Sequence, residues 1–408
     1  MKKMILLLAT SVLSVALLAG CNGNDSKNSE VKVEFFHYKT EAIPTFAKLI
    51  DKFEEENPLI KIEQISPPEA EIVLRTRVMK RDAPDIIAIG ANNNYRDLAE
   101  AGVYRDMTND DNLDKVQPAY LKMMRDITGL DEIYGVPYAA NAVGVIYNKT
   151  IFKELGLEVP TTWDEFIAVA EKVKESGQIP IYFTFKDAWT TLPSFNALAA
   201  NTQGDDFYDE LNKGNILAGT RYKATAEKFV QLLDYGHKNQ LGLAYNDGNT
   251  AFANGKSAMY LQGIWAIPEI KKANPAIDLG VFPYPVTNTP GESKLVSGVD
   301  LMLSAGASSK HPEEAQKFID FLLQEENLKI YIEEQNSFPA LKGVLQEEPS
   351  LAGLAESFEQ GALVDFPDHY LPVGVPVDKY LQTLAQNKNV EAFLNSVQKD
   401  WEKVEDRK

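Results

Sequence analysis

The alternation of strand and helix patterns between residues 31 and 89 restricts the fold of this chain more than any other feature. Apolar and polar residues alternate over residues 31–38, as in a strand. Apolar residues then take helical spacing from Phe46 to Phe53, and the pattern stops at Asn57-Pro58. A second strand, a second helix and a short buried strand are predicted at residues 60–65, 72–79 and 85–89. This βαβαβ order predicts an α/β fold of mainly parallel sheets with helices on both faces.

The same alternation continues through the rest of the chain. Residues 134–148 are apolar and poor in helix formers, and they predict an extended segment that is a candidate to cross between domains. Thr162 and Glu165 have capping-box spacing, which predicts the start of a helix. Strands are predicted at residues 179–185 and 301–305, and helices at residues 222–237, 312–322 and 390–404. A length of 408 residues indicates two or three domains.

Composition excludes one class of partner. The chain carries 41 basic and 59 acidic side chains, a formal net charge of −18, and its hydrophobic content of 44% is that of a globular protein. Binding to a phosphate backbone depends on clustered Lys and Arg. We therefore expect no nucleic-acid partner.

The first twenty residues are typical of an export signal. Lys2 and Lys3 precede an apolar run over residues 4–18, which is shorter than the roughly 20 residues that a membrane span needs. The run ends at Leu17-Leu18-Ala19-Gly20-Cys21, which resembles the bacterial lipobox, where a peptidase cuts before a cysteine that then carries lipid. The alternative is an ordinary secretory signal followed by an incidental cysteine.

Cysteine content favours the lipobox. Cys21 is the only cysteine of the chain, so an exported protein of this sequence forms no internal disulfide, and an unmodified thiol would be unusual. Residues 22–30 contain no large apolar side chain and predict a flexible tether. We expect a signal peptide at residues 1–20, a tether at residues 21–30, and a protein lipid-anchored through Cys21 to the outer face of the bacterial cell membrane.

Catalytic and metal-binding signatures are missing from the sequence. It contains no Gly-x-Ser-x-Gly, His-Glu-x-x-His or Gly-x-Gly-x-x-Gly motif. Its four histidines never pair at metal-ligand spacing. We therefore predict no catalytic residue, no metal and no cofactor. A glycoside hydrolase needs only two carboxylates, however, and 59 acidic residues leave that alternative open.

Two tryptophans follow predicted strands. An apolar strand ends at Gly263, and Trp265 lies where the next helix begins; Trp189 follows strand residues 182–185 and is close to Asp187. Ligands of open parallel sheets bind beyond the carboxyl ends of the strands. A tryptophan there can stack on the C–H face of a sugar ring, while amides and carboxylates bind its hydroxyls. Either tryptophan alone could be a core residue, but two at strand ends favour stacking platforms.

Several short motifs, in this order and spacing, resemble the bacterial extracellular solute-binding proteins of family 1, which serve carbohydrate ABC importers. The motifs are the lipobox, Phe-Glu-Glu-Glu-Asn-Pro at 53–58, Ala-Pro-Asp-Ile-Ile at 83–87, Gly-Val-Pro-Tyr at 135–138, Gly-Val-Ile-Tyr-Asn-Lys at 144–149, Pro-Thr-Thr-Trp-Asp-Glu-Phe at 160–166 and the segment 255–265. The resemblance covers essentially the whole mature chain. Tyr370-Leu371-Pro372 is similar to the branch that handles raffinose-type and other short oligosaccharides.

The resemblance implies two α/β lobes with a ligand cleft between them. One lobe would hold residues 31–138 plus 297–333, and the other residues 139–296 plus 334–408. Trp265 would be the main platform, and the other implied cleft residues are Gln262, Asn141, Asn92, Asn93, Tyr38 or His37, Glu69 or Glu71, and Asp300. Asp300 would be either a ligand carboxylate or a hinge contact. Glu69 and Glu71 have the alternative of complementing a helix dipole.

The function implied by the resemblance is capture of a di- to tetrasaccharide outside the cell membrane. The protein would be a monomer, not an enzyme, and would deliver the sugar by hinge closure to the transmembrane subunits of an ABC permease. A lipid-anchored glycoside hydrolase and a receptor for a solute other than sugar are the alternatives.

Overall fold

A computed structural model of the protein describes residues 30–207, 210, 213, 218–344, 346–372 and 374–406. Within these residues the strands join into one ten-stranded sheet, whose main path runs in the order β2-β1-β3-β8-β4-β6-β5. The strands are β1 (Val31–His37), β2 (Ile60–Ile65), β3 (Ile86–Ile89), β4 (Val136–Asn148), β5 (Ile179–Tyr182), β6 (Ser257–Gly263), β7 (Leu279–Pro283), β8 (Leu295–Ala305), β9 (Phe338–Pro339) and β10 (Leu363–Val364). The predicted signal peptide, Cys21 and residues 22–29 of the tether lie outside the described residues.

Helices connect the strands throughout the described residues. They are α1 (Ile43–Glu56), α2 (Ala70–Met79), α3 (Asn93–Glu100), α4 (Pro118–Thr128), α5 (Lys149–Glu154), α6 (Trp163–Glu175), α7 (Leu192–Ala200), α8 (Ala218–Arg221), α9 (Lys223–Leu232), α10 (Tyr245–Ala253), α11 (Ile267–Ala273), α12 (Pro312–Leu322), α13 (Glu325–Gln335), α14 (Ala355–Glu359), α15 (Val377–Asn387) and α16 (Val390–Glu405). None of them is both long and apolar enough to cross a membrane.

Local sequence explains where several elements begin and end. Thr162 and Glu165 form the predicted capping box at the start of α6, each side chain bonding to the other residue's backbone N–H. The predicted strand 179–185 ends earlier, at Tyr182, and the predicted helix 222–237 is the shorter α9, followed by a turn of 3₁₀ helix.

The long strands β4 and β8 run antiparallel through the middle of the sheet. Toward the two edges of the sheet the strands pair in parallel: β1 with β2 and β3, as the βαβαβ order predicted, and β5 with β6. The short β10 also pairs in parallel with β8. The central strand β4 instead pairs antiparallel with β6, β7, β8 and β9, and β3 pairs antiparallel with β8. The prediction of mainly parallel sheets is therefore wrong for the middle of the molecule, where two crossing strands make the sheet mixed.

The apolar side chains pack into two cores, and both crossing strands contribute to each. Val136 of β4 and Leu303 of β8 belong to the first core, whereas Val145 of β4 and Val296 of β8 belong to the second. The two-lobed α/β architecture predicted from the sequence is confirmed. The register of β4 against β8 shifts between Pro137 and Ala140, so the ladder is irregular along this crossing.

Candidate functional site

Two cavities are lined by residues that follow β1, β2, β3 and β6, and one of them also includes residues from the middle of β4 and β8. A cavity of about 510 Å³, which we call the tryptophan cavity, is lined by Lys39, Glu41, Asn141, Tyr245, Ile264, Trp265, Pro268, Glu269, Asp300, Tyr331, Glu334, Gln335 and Ser337. A second cavity of about 410 Å³, the asparagine cavity, is lined by Glu71, Ile72, Arg75, Asn92, Asn93, Asn94, Asp368 and His369. Both volumes lie in the range of small-molecule sites.

Trp265 is held in the wall of the tryptophan cavity by the turn that follows β6. It lies in a 3₁₀ turn between Gly263 and α11, half-buried against the second core. A Cβ atom at Gly263 would lie 2.0 Å from Cζ3 of the indole. Glycine at this position therefore lets the indole approach the backbone closely. The sequence prediction of a strand ending at Gly263, with Trp265 at a helix start, agrees with this geometry.

Asp300 joins the end of β1 to both crossing strands. Its Oδ1 accepts hydrogen bonds from the Tyr38 hydroxyl at 3.1 Å and from Asn141 Nδ2 at 3.0 Å, and its Oδ2 lies 2.7 Å from Lys39 Nζ. Burial lowers the pKa of Lys39, but the Asp300 and Glu41 carboxylates outweigh it, so the net pKa is raised. The Asp300 carboxylate is thus bonded to three protein groups, an arrangement that orients its neighbours.

The asparagine cavity lies at the start of α3. Asn92 caps this helix, because its side-chain oxygen accepts from the backbone N–H groups of Asn94 and Tyr95. Its Nδ2 donates to Glu71 at 3.3 Å, and Asn94 also donates to Glu71. Glu71 therefore joins α2 to α3. Asn93 reaches away from the helix and donates to the backbone carbonyl of Leu371.

The segment after β10 closes the other side of the asparagine cavity. Asp365 is 6% exposed, and its Oδ1 lies 3.1 Å from Nδ1 of His369. Burial alone lowers the pKa of His369, but the Asp365 carboxylate outweighs it and the net pKa rises to about 9. Burial also raises the pKa of Asp368. His369 is therefore a cation at neutral pH, paired with a buried carboxylate.

Of the twelve cleft residues predicted from the sequence, six line the two cavities. Trp265, Asn141 and Asp300 line the tryptophan cavity, and Glu71, Asn92 and Asn93 line the asparagine cavity. The other six do not: they are Tyr38, His37, Gln262, Trp189, Asp187 and Glu69.

Some of these six lie behind the cavity walls. Tyr38 is directed at Asp300, whereas His37 is fully buried between Phe35 and Phe46. The amide nitrogen of Gln64 is 2.8 Å from His37 Nε2, and burial lowers the histidine pKa to about 4. His37 is thus a neutral core residue. Gln262 is 1% exposed on β6, and its Oε1 has no partner among the described residues.

The other three predicted residues, Trp189, Asp187 and Glu69, also line neither cavity. Trp189 is 39% exposed, and its ring centroid is 4.9 Å from that of Tyr245, which lines the tryptophan cavity. Asp187 accepts a 2.8 Å hydrogen bond from the backbone N–H of Tyr245 and so fixes the start of α10. Glu69 is exposed, precedes α2 with a φ of 51° and makes no capping bond.

Sequence reasoning missed several residues that line the cavities. Lys39 follows Tyr38 at the end of β1, so a position just after a strand end, the feature that pointed to Tyr38, points to Lys39 as well. Five more come from α10, α13 and the segment after β10, where no strand pattern points to a site: Tyr245, Glu334, Gln335, Asp368 and His369. Asn94 of α3 and Glu269 of α11 were also missed. Among the described residues, no group of three or more His, Cys, Asp or Glu side chains is placed to hold a metal ion.

A family comparison decides the identity of this two-lobed fold. The model of the bacterial extracellular solute-binding proteins matches residues 38–329, well over half of the chain. The chain belongs to this family. The resemblance predicted from the sequence motifs is therefore confirmed.

Two relatives of this solute-binding protein are a multiple sugar-binding protein and RafE, and RafE has been solved both without ligand and with raffinose. It is 35% identical over 362 residues to the multiple sugar-binding protein of Streptococcus mutans, and the matched region covers 85% of each of the two chains. The structure of apo RafE from Streptococcus pneumoniae superposes with a TM-score of 0.80 at 30% identity, covering 91% of this chain and 97% of RafE. RafE in complex with raffinose gives a TM-score of 0.79 at 30% identity, covering 91% and 98%. These neighbours agree with the predicted raffinose and multiple-sugar branch.

Proposed function

We propose that this solute-binding protein captures an oligosaccharide of the di- to tetrasaccharide class outside the cell membrane and delivers it to the transmembrane subunits of an ABC permease. One observation carries the proposal: the indole of Trp265, in close contact with Gly263, shares a cavity of about 510 Å³ with Asn141 and Asp300. An aromatic face beside amide and carboxylate groups suits a sugar, which is apolar on its ring faces and polar at its edge.

The relatives support a sugar as the ligand. The S. mutans protein is named for binding multiple sugars, and RafE has been solved with raffinose. We therefore propose raffinose-type oligosaccharides as the first ligands to test. The protein would bind the sugar reversibly and leave it unchanged.

We assign the proposed contacts by their placement. Trp265 would stack on a sugar ring, and Asn141 and Asn93 would bind hydroxyls, while Asp300, Tyr38, Asn92 and Glu71 would hold these groups in place. Trp189 would extend the aromatic surface through Tyr245, and Asp187 would position that tyrosine. Gln262 remains a proposed contact through its buried Oε1.

Closure would bring the lobes together around the sugar. We propose that residues 31–138 plus 297–333 and residues 139–296 plus 334–408 move as the two lobes, bending along β4 and β8. The sugar shifts the equilibrium toward the closed form only by its greater affinity for that form. Lipid attachment at Cys21, removal of residues 1–20 and a monomeric state are further parts of the proposal.

Calorimetric titration tests this function directly. The purified protein is titrated with raffinose, melibiose, stachyose and maltotriose, and each sugar is recovered afterwards for chromatography. Saturable binding with intact sugar supports the proposal. Cleaved sugar would indicate a glycoside hydrolase, and no binding of any carbohydrate would overturn the sugar assignment.

A further inference from the structure

A series of three rings joins the wall of the tryptophan cavity to the wall of the asparagine cavity. The ring centroid of Phe366 lies 6.5 Å from that of Trp265, which lines the first cavity, and 5.0 Å from that of His369, which lines the second. The Phe366 and His369 rings are stacked, with an angle of 25° between their planes. Phe366 itself lines neither cavity. It is therefore placed to act on Trp265 from behind the cavity wall.

Phe366 is fixed from two directions. The carboxylate of Asp365 accepts a 2.8 Å hydrogen bond from the backbone N–H of Phe366, and the same Oδ1 atom lies 3.1 Å from Nδ1 of His369. On β8, a Cβ atom at Gly298 would lie 2.5 Å from Oδ1 of Asp365 and 2.9 Å from Cδ2 of Phe366. Both residues therefore pack directly on the backbone of a central strand. A buried ring in such a close-packed setting has little room for another position.

The charge on His369 belongs to this arrangement. The groups that act on it are the carboxylates of Asp365, Asp368 and Asp300, and Glu71 and Arg75 line the same cavity. Burial lowers the pKa of His369, but the three carboxylates outweigh it and raise the pKa to about 9. Burial and the Asp365 carboxylate raise the pKa of Tyr370 well above its ordinary value, so this neighbour keeps its proton over the same range. The ion pair of Asp365 and His369 is therefore present at neutral pH and is lost as the pH rises through 9.

We propose that Phe366, held by the ion pair of Asp365 and His369, is a positioning residue for the indole of Trp265, so that the wall of the asparagine cavity sets the affinity of the tryptophan cavity for sugar. An aromatic neighbour restricts the orientations of the indole, and a ring that is already ordered loses less freedom when a sugar stacks on it. This inference rests on the proposed function and deepens it, because it names a residue outside both cavities that controls binding.

Substitution of Phe366 tests the inference. Phe366→Leu keeps an apolar side chain and removes the ring. In calorimetric titration with raffinose it is expected to bind about two- to tenfold more weakly than the wild type, the range for loss of one aromatic pair. Phe358→Leu is the matched control, because Phe358 stacks on Phe338 with centroids 3.8 Å apart and lines neither cavity. This control should bind raffinose normally.

A double variant separates positioning of the indole from a general loss of structure. Once Trp265→Ala has removed the indole, adding Phe366→Leu is expected to cost no further affinity, because the ring that Phe366 positions is absent. A loss of general structure would lower the affinity in both backgrounds.

The pH dependence of raffinose binding tests the part played by the ion pair. The affinity of the wild type is expected to fall as the pH rises through about 9, because His369 then loses the proton that pairs it with Asp365. Phe366→Leu is expected to bind with the same affinity from pH 7 to pH 10, because the ring through which His369 acts is missing.

The outcomes separate the inference from the proposed function. Raffinose that binds Phe366→Leu as tightly as the wild type overturns the inference and leaves sugar binding intact. Additive losses in the double variant, or a pH dependence that Phe366→Leu retains, also overturn it, since Phe366 or His369 then acts without the indole. No heat from the wild type with raffinose, melibiose, stachyose or maltotriose overturns the proposed function and the inference together.

Discussion

The indole of Trp265 lies so close to the backbone of Gly263 that a methyl group at position 263 would sit 2.0 Å from Cζ3 and 2.2 Å from Cη2 of the ring. Gly263 has a φ of −84° and a ψ of 166°, which any residue can adopt. The constraint at this position is therefore contact with the tryptophan, not backbone conformation.

Gly263→Ala is expected to displace the indole and weaken sugar binding by about 1–3 kcal/mol, the loss expected for an aromatic anchor. Trp265→Ala should cause a loss of similar size. Calorimetric titration with raffinose measures both.

A double-mutant cycle provides the control for these two variants. Adding Gly263→Ala to Trp265→Ala should cost little further affinity, because the ring that collides is already absent. Additive losses in the double variant would contradict the arrangement of the two residues. Trp163→Phe, in the second core and lining neither cavity, should bind the sugar normally.

Asp300 and Lys39 form an ion pair with little exposure to solvent, since their side chains are 6% and 14% exposed. Asp300→Asn is expected to lower the free energy of unfolding by about 3 kcal/mol, because Lys39 then loses its nearest carboxylate while it stays buried. Urea unfolding measures the loss.

Lys39→Met added to Asp300→Asn should restore part of that stability, because it removes the unpaired charge. Glu325→Gln provides the comparison, since Glu325 and Lys329 form an exposed pair on α13 that should contribute at most about 0.5 kcal/mol. Equal losses for Asp300→Asn and Glu325→Gln would be inconsistent with this assignment.

The sequence predicted local structure better than it predicted the site. The βαβαβ order and the Thr162 capping box depend on neighbouring residues, so periodicity and spacing were sufficient to find them. The bonds that organise the cleft join residues far apart, such as Tyr38 and Asp300, which are 262 positions apart. No local pattern records such a contact.

His37 and Tyr38 show this limit at a single strand end. Adjacent residues of a strand face opposite sides, so the sequence predicted that one of the two reaches the cleft without deciding which. The structure buries His37 in the core and directs Tyr38 at Asp300. Packing against Phe46 of α1 decides the question, and that contact depends on tertiary structure.

Burial of His37 predicts a loss of stability in acid. The folded-state pKa of about 4 lies below the ordinary value of 6.5, so the unfolded chain binds the proton more readily. The stability gained by burying His37 in its neutral form is fully present above pH 6.5. It is lost as the pH falls toward 4, by about 3 kcal/mol at most. Unfolding free energies of the wild type and His37→Gln, measured from pH 7 to pH 4, should converge or cross as the pH falls. Parallel curves would rule the effect out.

The pair of His369 and Asp365 predicts the opposite trend at alkaline pH. The folded-state pKa of about 9 lies above 6.5, so the stabilisation is complete below pH 6.5 and is lost as the pH rises through 9. Wild type and His369→Gln should therefore differ in unfolding free energy by about 3 kcal/mol at pH 6, and the gap should narrow by pH 10.

Asp365→Asn is the matched variant for this pair. It removes the carboxylate that raises the histidine pKa and should flatten the dependence of stability on pH above 6.5. A gap between wild type and His369→Gln that stays constant from pH 6 to pH 10 would contradict the ion pair.

The central position of β8 has a consequence for the order in which the chain can fold. β3 and β4 are synthesised before β8, yet β8 lies between them and pairs with both. Until residues 295–305 arrive, the part of the chain that precedes Leu295 must keep two open strand edges, one on β3 and one on β4, and open edges recruit other chains. A nascent or truncated chain that stops before Leu295 is therefore expected to aggregate or to depend on a chaperone, however complete its first helices are.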